Sequence, residues 1–434
     1  MEAPAINLPP DAPRWRWPTR VAFRFCFVYF GLVIFPFPLG YVPYSDYLFY
    51  YIYQAYDAFW NWLVPWTGAH ILHLSKPITI LPNGSGDTTW NYVQVFCLVV
   101  IAGVSTAIWS WLDRRRPAYP KLYQWSRLLV RLYLAAVLIS YGLDKVVPLQ
   151  MPRPSLLELS TPLGDIPPGG LLWAFIGASP AFEIFTGLVE VAGGLLLILP
   201  RTAPLGALVG AASLFFIFML NLCYDVPVKL YSFFLLGLSL FLLAPELGRL
   251  ARLFLLGERV ELTKPVPLFS RRWLNALALV LQVAFGLTQF HNNLGGDVDN
   301  AKSFGFLAPE SPWYGVWSVE KFTRDGQVVP PNPDDETCWS QVIFDKPGRV
   351  NVRAGRHARI SYEVLLSRNG KVLQLRTGKN ASGLFTCAPT GGEHLTLTGD
   401  LEGHHYEIQL QRQDENKYIL PTRGFHWINE YPYF

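Results

Sequence analysis

Charge is what this sequence is short of. Charged residues make up 16% of the 434, against about 25% in an ordinary soluble domain, and several apolar runs reach the ~20 residues that cross a bilayer. A wholly water-soluble protein is excluded. Cysteine is scarce too: there are five, with no C-x-x-C and no C-x-x-C-H, which excludes a thioredoxin-type motif and c-type haem attachment. The PNGSGDTT turn at 82–89 lacks the lysine of a phosphate-binding loop, and no dinucleotide fingerprint is present. Basic residues form no dense stripe and the net charge is only +4, so nucleic acid is not an expected partner. The opening MEAPAINLPPDAPRWRWPTR has no apolar core followed by a small-residue cleavage site, so the first span is expected to serve as the membrane signal itself.

What is present is a series of apolar segments. Seven predicted spans lie at about 21–40, 92–112, 128–147, 181–199, 205–222, 229–243 and 273–290. Arg14, Arg16 and Arg20 precede the first span, DRRR at 113–116 follows the second, Arg201 follows the fourth, and Arg271 and Arg272 precede the seventh. The alternation predicts a cytoplasmic N-terminus and an extracytoplasmic C-terminal region, as in a multi-pass protein of a bacterial inner membrane. The segment 44–66 is long but nearly half aromatic, with Asp46, Gln54, Asp57 and Asn61 among its rings. It reads as an interfacial helix on the outer face.

The last 130 or so residues reverse the balance. Short β-rich runs such as CWSQVIF, ARISYEVLLS, KVLQLRT and HHYEIQLQR alternate with turn signals RDGQ, KPG and RNGK, which predicts about eight strands in an up-and-down barrel. The expected organisation is therefore a cytoplasmic segment 1–20, a helical membrane domain 21–292, a linker 293–312 and an extracytoplasmic all-β barrel with an aromatic tail at 313–434. Cys338 and Cys387 are the two cysteines outside the membrane region. An oxidising compartment permits them to pair as a disulfide.

The charges inside the apolar runs carry the functional interest. Tyr141, Asp144, Lys145, Glu183, Glu190, Asn221, Asp225 and Lys229 all fall in or beside spans three to six, and a charge facing lipid costs at least ~2.5 kcal/mol. Glu183 and Glu190, at i and i+7, share a helix face. Span direction predicts that Lys145, Glu183, Glu190 and Asp225 converge in one polar pocket near the outer leaflet, bordered by Tyr141, Asp144, Asn221 and Lys229. Two readings stand side by side: ion pairs such as Lys145 with Glu183 or Asp144, and Lys229 with Asp225, that fix helix register; or a site that moves protons or holds a quinone headgroup. His70 and His73, at i and i+3, are metal candidates without a third ligand in sequence.

Gly142 and Lys145 in a G-x-x-K, and the helix bearing Glu183, Glu190, Gly193 and Gly194, resemble the DoxX-like membrane family over about 128–246. The resemblance implies a four-helix membrane unit serving a quinone-linked or thiol redox system; because the sequence shows no redox centre, electrons are expected from a partner. Lys145 also matches the G-x-x-K part of a Y-x-x-G-x-x-K motif. In the membrane domain related to vitamin K-dependent carboxylases that lysine is a base, which implies a carboxylase-like alternative. The run 313–413, with its GVW opening, DG turn and regular hairpins, resembles a lipocalin-like barrel. That implies a further alternative, a non-enzymatic envelope protein whose barrel binds a hydrophobic ligand, lipid or a protein partner.

Overall fold

The structure, a computed structural model, describes residues 14–41, 46–80, 84–261, 265–332, 334–346, 348–355, 358–367, 370–377 and 380–431. Among them, eleven α-helices precede the barrel: α1 (Trp17–Ile34), α2 (Asp46–His70), α3 (Thr89–Leu112), α4 (Pro120–Val146), α5 (Leu156–Leu159), α6 (Pro168–Gly177), α7 (Pro180–Ile198), α8 (Ala203–Cys223), α9 (Lys229–Leu243), α10 (Leu247–Leu256) and α11 (Arg272–Ser303). Among the described residues, seven helical stretches are long and apolar enough to cross a membrane: α1, α3, α4, α7, α8, α9 with α10, and α11. They coincide with the seven predicted spans. α2, although 25 residues long, is not one of them, and its Tyr47, Tyr50, Tyr51 and Trp62 are exposed.

The chain divides into two compact units, Met1–Leu143 with Thr186–Leu294, and Asp144–Phe185 with Gly295–Phe434. In the first unit, Leu134 and Leu138 of α4, Ala207, Ala211 and Leu214 of α8, and Leu238 and Leu242 of α9 form the main core. Glycine sets how closely the helices approach. A Cβ on Gly142 of α4 would stand 2.8 Å from the Gly187 carbonyl of α7, and one on Gly194 of α7 would stand 3.0 Å from the Ala135 carbonyl of α4. Gly206 of α8 meets α7 in the same way, 2.9 Å from the Gly193 carbonyl. Lipid offers helices no hydrophobic gain for associating, so backbone proximity of this kind is what dispersion and weak polar contacts require.

The GSGDTT turn contributes to two helices at once. Thr88 caps α3, its side chain bonded to the Asn91 N–H while the Asn91 side chain accepts from the Thr88 N–H. Asp87 caps α9 from a distance: its carboxylate accepts the Lys229 and Leu230 N–H groups at 2.8 and 3.0 Å. The Gly86 N–H donates to the Pro227 carbonyl. A negative group at a helix N-terminus satisfies orphan donors and favours the helix dipole.

In the second unit the strands are β1 (Gly315–Arg324), β2 (Gln327–Val328), β3 (Trp339–Phe344), β4 (Arg349–Ala354), β5 (Ala358–Leu366), β6 (Val372–Thr377), β7 (Asn380–Gly391), β8 (His394–Leu401) and β9 (His404–Arg412). Eight of them form a closed antiparallel barrel in the order β1-β3-β4-β5-β6-β7-β8-β9, and β9 returns to β1. β2 is a short hairpin extension of β1 through Asp325 and Gly326, both at positive φ, as a tight two-residue turn demands. Alternation puts Val350, Val352 and Ala354 of β4 and Tyr406, Ile408 and Leu410 of β9 inside. Trp317, Phe322, Trp339, Phe344, Tyr362 and Phe385 join them, so the barrel interior is filled by side chains, as suits eight strands. On this unit's helical segment, Leu156 of α5 packs with Val316 and Ile343, and the Arg353 guanidinium donates to the Ser160 carbonyl at 2.6 Å.

Within the stretch 293–312, α11 continues through Gly295 and Gly296 to Ser303. One expectation is corrected here. Cys338 and Cys387 are both free, buried thiols and form no disulfide. Cys338 adjoins β3 and Cys387 lies in β7, strands separated by three others in either direction around the barrel. Strands spaced ~4.8 Å apart put opposite walls well beyond the roughly 7 Å that a disulfide can bridge. Burial also pushes the Cys387 thiol up to about 11, where thiolate is rare. With Cys26, Cys97 and Cys223 replaced by serine, neither thiol should react with a maleimide in the native protein, and both should react after denaturation without reductant. Two unreactive sulfurs under those conditions would restore the disulfide.

Candidate functional site

The G-x-x-K end of α4 is where polar groups gather in the second unit. The helix stops because Pro148 cannot continue it, and the Asp144 carbonyl instead accepts the N–H groups of Leu149 and Gln150 at 2.9 and 3.1 Å. Asp144 and Lys145, one residue apart, point about 100° from one another around the helix. They therefore serve different neighbours. Asp144 lies within electrostatic reach of Asp297 of α11, and Lys145 within that of Glu183 in the first turn of α7.

All four groups except Asp144 are buried: Glu183 is 0% exposed, Lys145 6% and Asp297 7%. The Glu183 carboxylate also accepts the Met151 N–H at 2.9 Å, so it ties the Pro-rich loop to α7. That loop is held at further points. Trp173 of α6 donates its indole N–H to the Gln150 carbonyl at 2.9 Å, and Gly177 lies so close to Pro152 that a Cβ there would clash with its carbonyl oxygen. Two neighbouring carboxyl groups resist ionising together, and a lysine beside a carboxylate offers an exchangeable proton. Such an arrangement can donate or accept protons.

The remaining predicted residues belong to the first unit. Glu190 is buried on α7. Asn221 is buried on α8 and donates to the Ser232 hydroxyl of α9 at 3.1 Å. The Tyr141 ring lies 6.3 Å from that of Tyr231. Lys229 makes ion pairs with Asp225 at 2.8 Å and Asp87 at 3.7 Å, in line with the register-fixing reading of that pair. Asp225 itself requires correction as a buried pocket residue. Its side chain is 85% exposed on a turn at φ +54°, and the hydrogen bond from Lys229 holds its carboxyl below the usual carboxylate range. His70 stacks on Trp66 and its Nδ1 lies 3.0 Å from that residue's carbonyl oxygen, while His73 stands in an exposed turn at φ +50°. Among the described residues no group of three or more His, Cys, Asp or Glu is placed to hold a metal.

Sequence reasoning missed Asp297, because it lies beyond the predicted end of the seventh span at 290, on the part of α11 that runs on to Ser303. It also missed two buried arginines of the first unit. Arg24 of α1 donates to the Tyr119 hydroxyl, the Ser110 hydroxyl and the Asp113 carbonyl at 2.7 to 3.1 Å, and Tyr119 in turn donates to the Asp113 carboxylate. Arg131 of α4 donates to Gln282 of α11. The signal was legible in each case as a basic residue at the membrane end of an apolar run.

No family model matches the chain, and no solved structure matches it. An uncharacterized protein of Bacillus subtilis, YwoB, is 35% identical over 114 residues, covering 26% of this chain and 71% of the Bacillus protein. At that identity and coverage, the chain belongs to the family of YwoB.

Proposed function

We propose that the chain is a membrane redox accessory that binds the headgroup of a quinone-type molecule at Asp144, Lys145, Glu183 and Asp297 and exchanges protons with it. The observation that carries this reading is the acid pair Asp144–Asp297 beside a buried lysine and glutamate. Quinone reduction consumes protons at its carbonyl oxygens, and grouped acids with a lysine can deliver them. Electrons come from a partner, since the sequence has no redox motif of its own. The DoxX-like resemblance of 128–246 points the same way. The basic ends of the spans favour a cytoplasmic N-terminus and an extracytoplasmic, lipocalin-like barrel in a bacterial inner membrane.

A second reading rests on the tail, where Phe425, Trp427, Ile428 and Tyr431 are all exposed, Trp427 by 91%. Aromatic surface of this kind fits a protein partner of an envelope protein without enzymatic activity. One measurement separates the two. The wild-type protein, incubated with a short-chain menaquinone and passed over a gel-filtration column, should retain quinone near one per chain, and Asp144→Asn with Asp297→Asn should lose it. Absence of quinone from the wild-type protein would overturn the first reading.

A further inference from the structure

A groove runs along the first unit between α1 and α3, with a volume of about 690 Å³, within the roughly 300–1,000 Å³ of ligand sites. Its walls are almost wholly apolar. Ala22 and Phe25 of α1 face Gly103, Thr106 and Ala107 of α3, and Trp17 stands at one end. The groove exists because α3 carries small residues there. A Cβ on Gly103 would meet nothing within 4 Å, so this glycine, unlike Gly142, makes room for something other than a neighbouring helix.

The start of α1 lies beside the end of α3. The Trp15 N–H donates to the Pro117 carbonyl at 3.0 Å, Arg20 donates to the Arg116 carbonyl at 2.7 Å and Arg24 to the Ser110 hydroxyl at 2.8 Å. The helices are thus antiparallel, and each contributes its arginines to the same end of the groove: Arg14, Arg16 and Arg20 before or at the start of α1, and Arg114, Arg115 and Arg116 after α3. Asp113 is the one acid in that turn, and Tyr119 and Arg116 engage it. Within the groove wall the Thr106 hydroxyl is buried with no hydrogen-bond partner among the described residues.

We infer that this groove is a binding site for a phospholipid with an anionic headgroup. An acyl chain lies against Gly103 and Ala107, and the phosphate meets the arginines. A chain bordered by lipid on every side contacts many acyl tails. What distinguishes this place is the conjunction of an open cleft with a one-signed cluster at its end, the pattern by which basic pockets beside membrane helices select anionic lipid.

The test is retention of lipid by the full-length protein in detergent, read by native mass spectrometry with equal amounts of phosphatidylglycerol and phosphatidylcholine. Phosphatidylglycerol should be retained in about tenfold preference. Arg114→Gln with Arg115→Gln should abolish the preference while leaving phosphatidylcholine retention unchanged. Gly103→Trp, which fills the cleft where no atom stands in the way, should lose the phosphatidylglycerol adduct, and Ala107→Phe is read in its place if that variant does not fold. Glycerol 3-phosphate, which has the charge but no acyl chains, should not compete. Equal retention of the two lipids, an undiminished adduct in the filled variants, or competition by glycerol 3-phosphate would overturn the assignment.

Discussion

Replacing Lys145 by methionine should destabilise the protein by ~3–5 kcal/mol, the usual consequence of removing one member of a buried charged set. Glu183 is fully buried and bonded to the Met151 N–H, so without the lysine its charge is left in a poorly solvated place. Adding Glu183→Gln should recover much of that loss, because the amide oxygen still accepts the Met151 N–H and no net charge remains. Unfolding in mixed detergent micelles, followed by tryptophan fluorescence, measures both variants. A double variant no more stable than the single one would show that the two residues do not act together. If the double variant folds and retains quinone, the pair is structural and the proton-exchange role falls to Asp144 and Asp297.

The second large effect belongs to the barrel. Trp339 is 5% exposed, and its ring sits 6.0 to 6.5 Å from those of Phe322, Tyr362, Phe385 and Tyr406. Trp339→Ala should cost ~3–5 kcal/mol, seen as a marked fall in the temperature at which the near-ultraviolet signal of the barrel is lost. Leu365→Ala, on an exposed position of β5, should change stability by no more than ~0.5 kcal/mol. The contrast bears on function: a barrel built around a ligand space tolerates truncation into that space. A loss below about 1 kcal/mol at Trp339 would favour a ligand cup over a filled scaffold.

The elements were largely legible, because each follows from a local pattern. Apolar runs of bilayer length marked seven spans, aromatic density set α2 apart, and alternation with DG and NG turns marked the barrel strands. What failed were statements about which residues meet. Helical spacing shows that Glu183 and Glu190 share a face, but not that Met151 turns back to Glu183 or that Asp297 arrives from α11. Asp225 borders a span, which predicts a place among the buried charges, yet the turn carries its side chain outward while it stays paired with Lys229. Two cysteines outside the membrane region suggest a pair by number alone, and number does not tell how far a barrel separates β3 from β7. The seventh span also reaches further than its predicted end at 290: two glycines cost roughly 2 kcal/mol inside a helix, yet α11 carries Gly295 and Gly296 and brings Asp297 near Asp144.

The way the barrel closes sets a schedule for its making. β3 to β9 pair each with the next, so those hairpins can form as each strand emerges. β1 takes β3 on one side early, whereas its other side pairs with β9, Trp317 opposite Arg412 and Arg324 opposite Tyr406, some ninety residues later in the chain. At a ribosomal pace of 5–20 residues per second, that edge waits on the order of 5–20 s for its partner. An unpaired strand edge is a template for another chain, so chains interrupted before His404 carry an open seam, and association between nascent copies competes with folding during that interval.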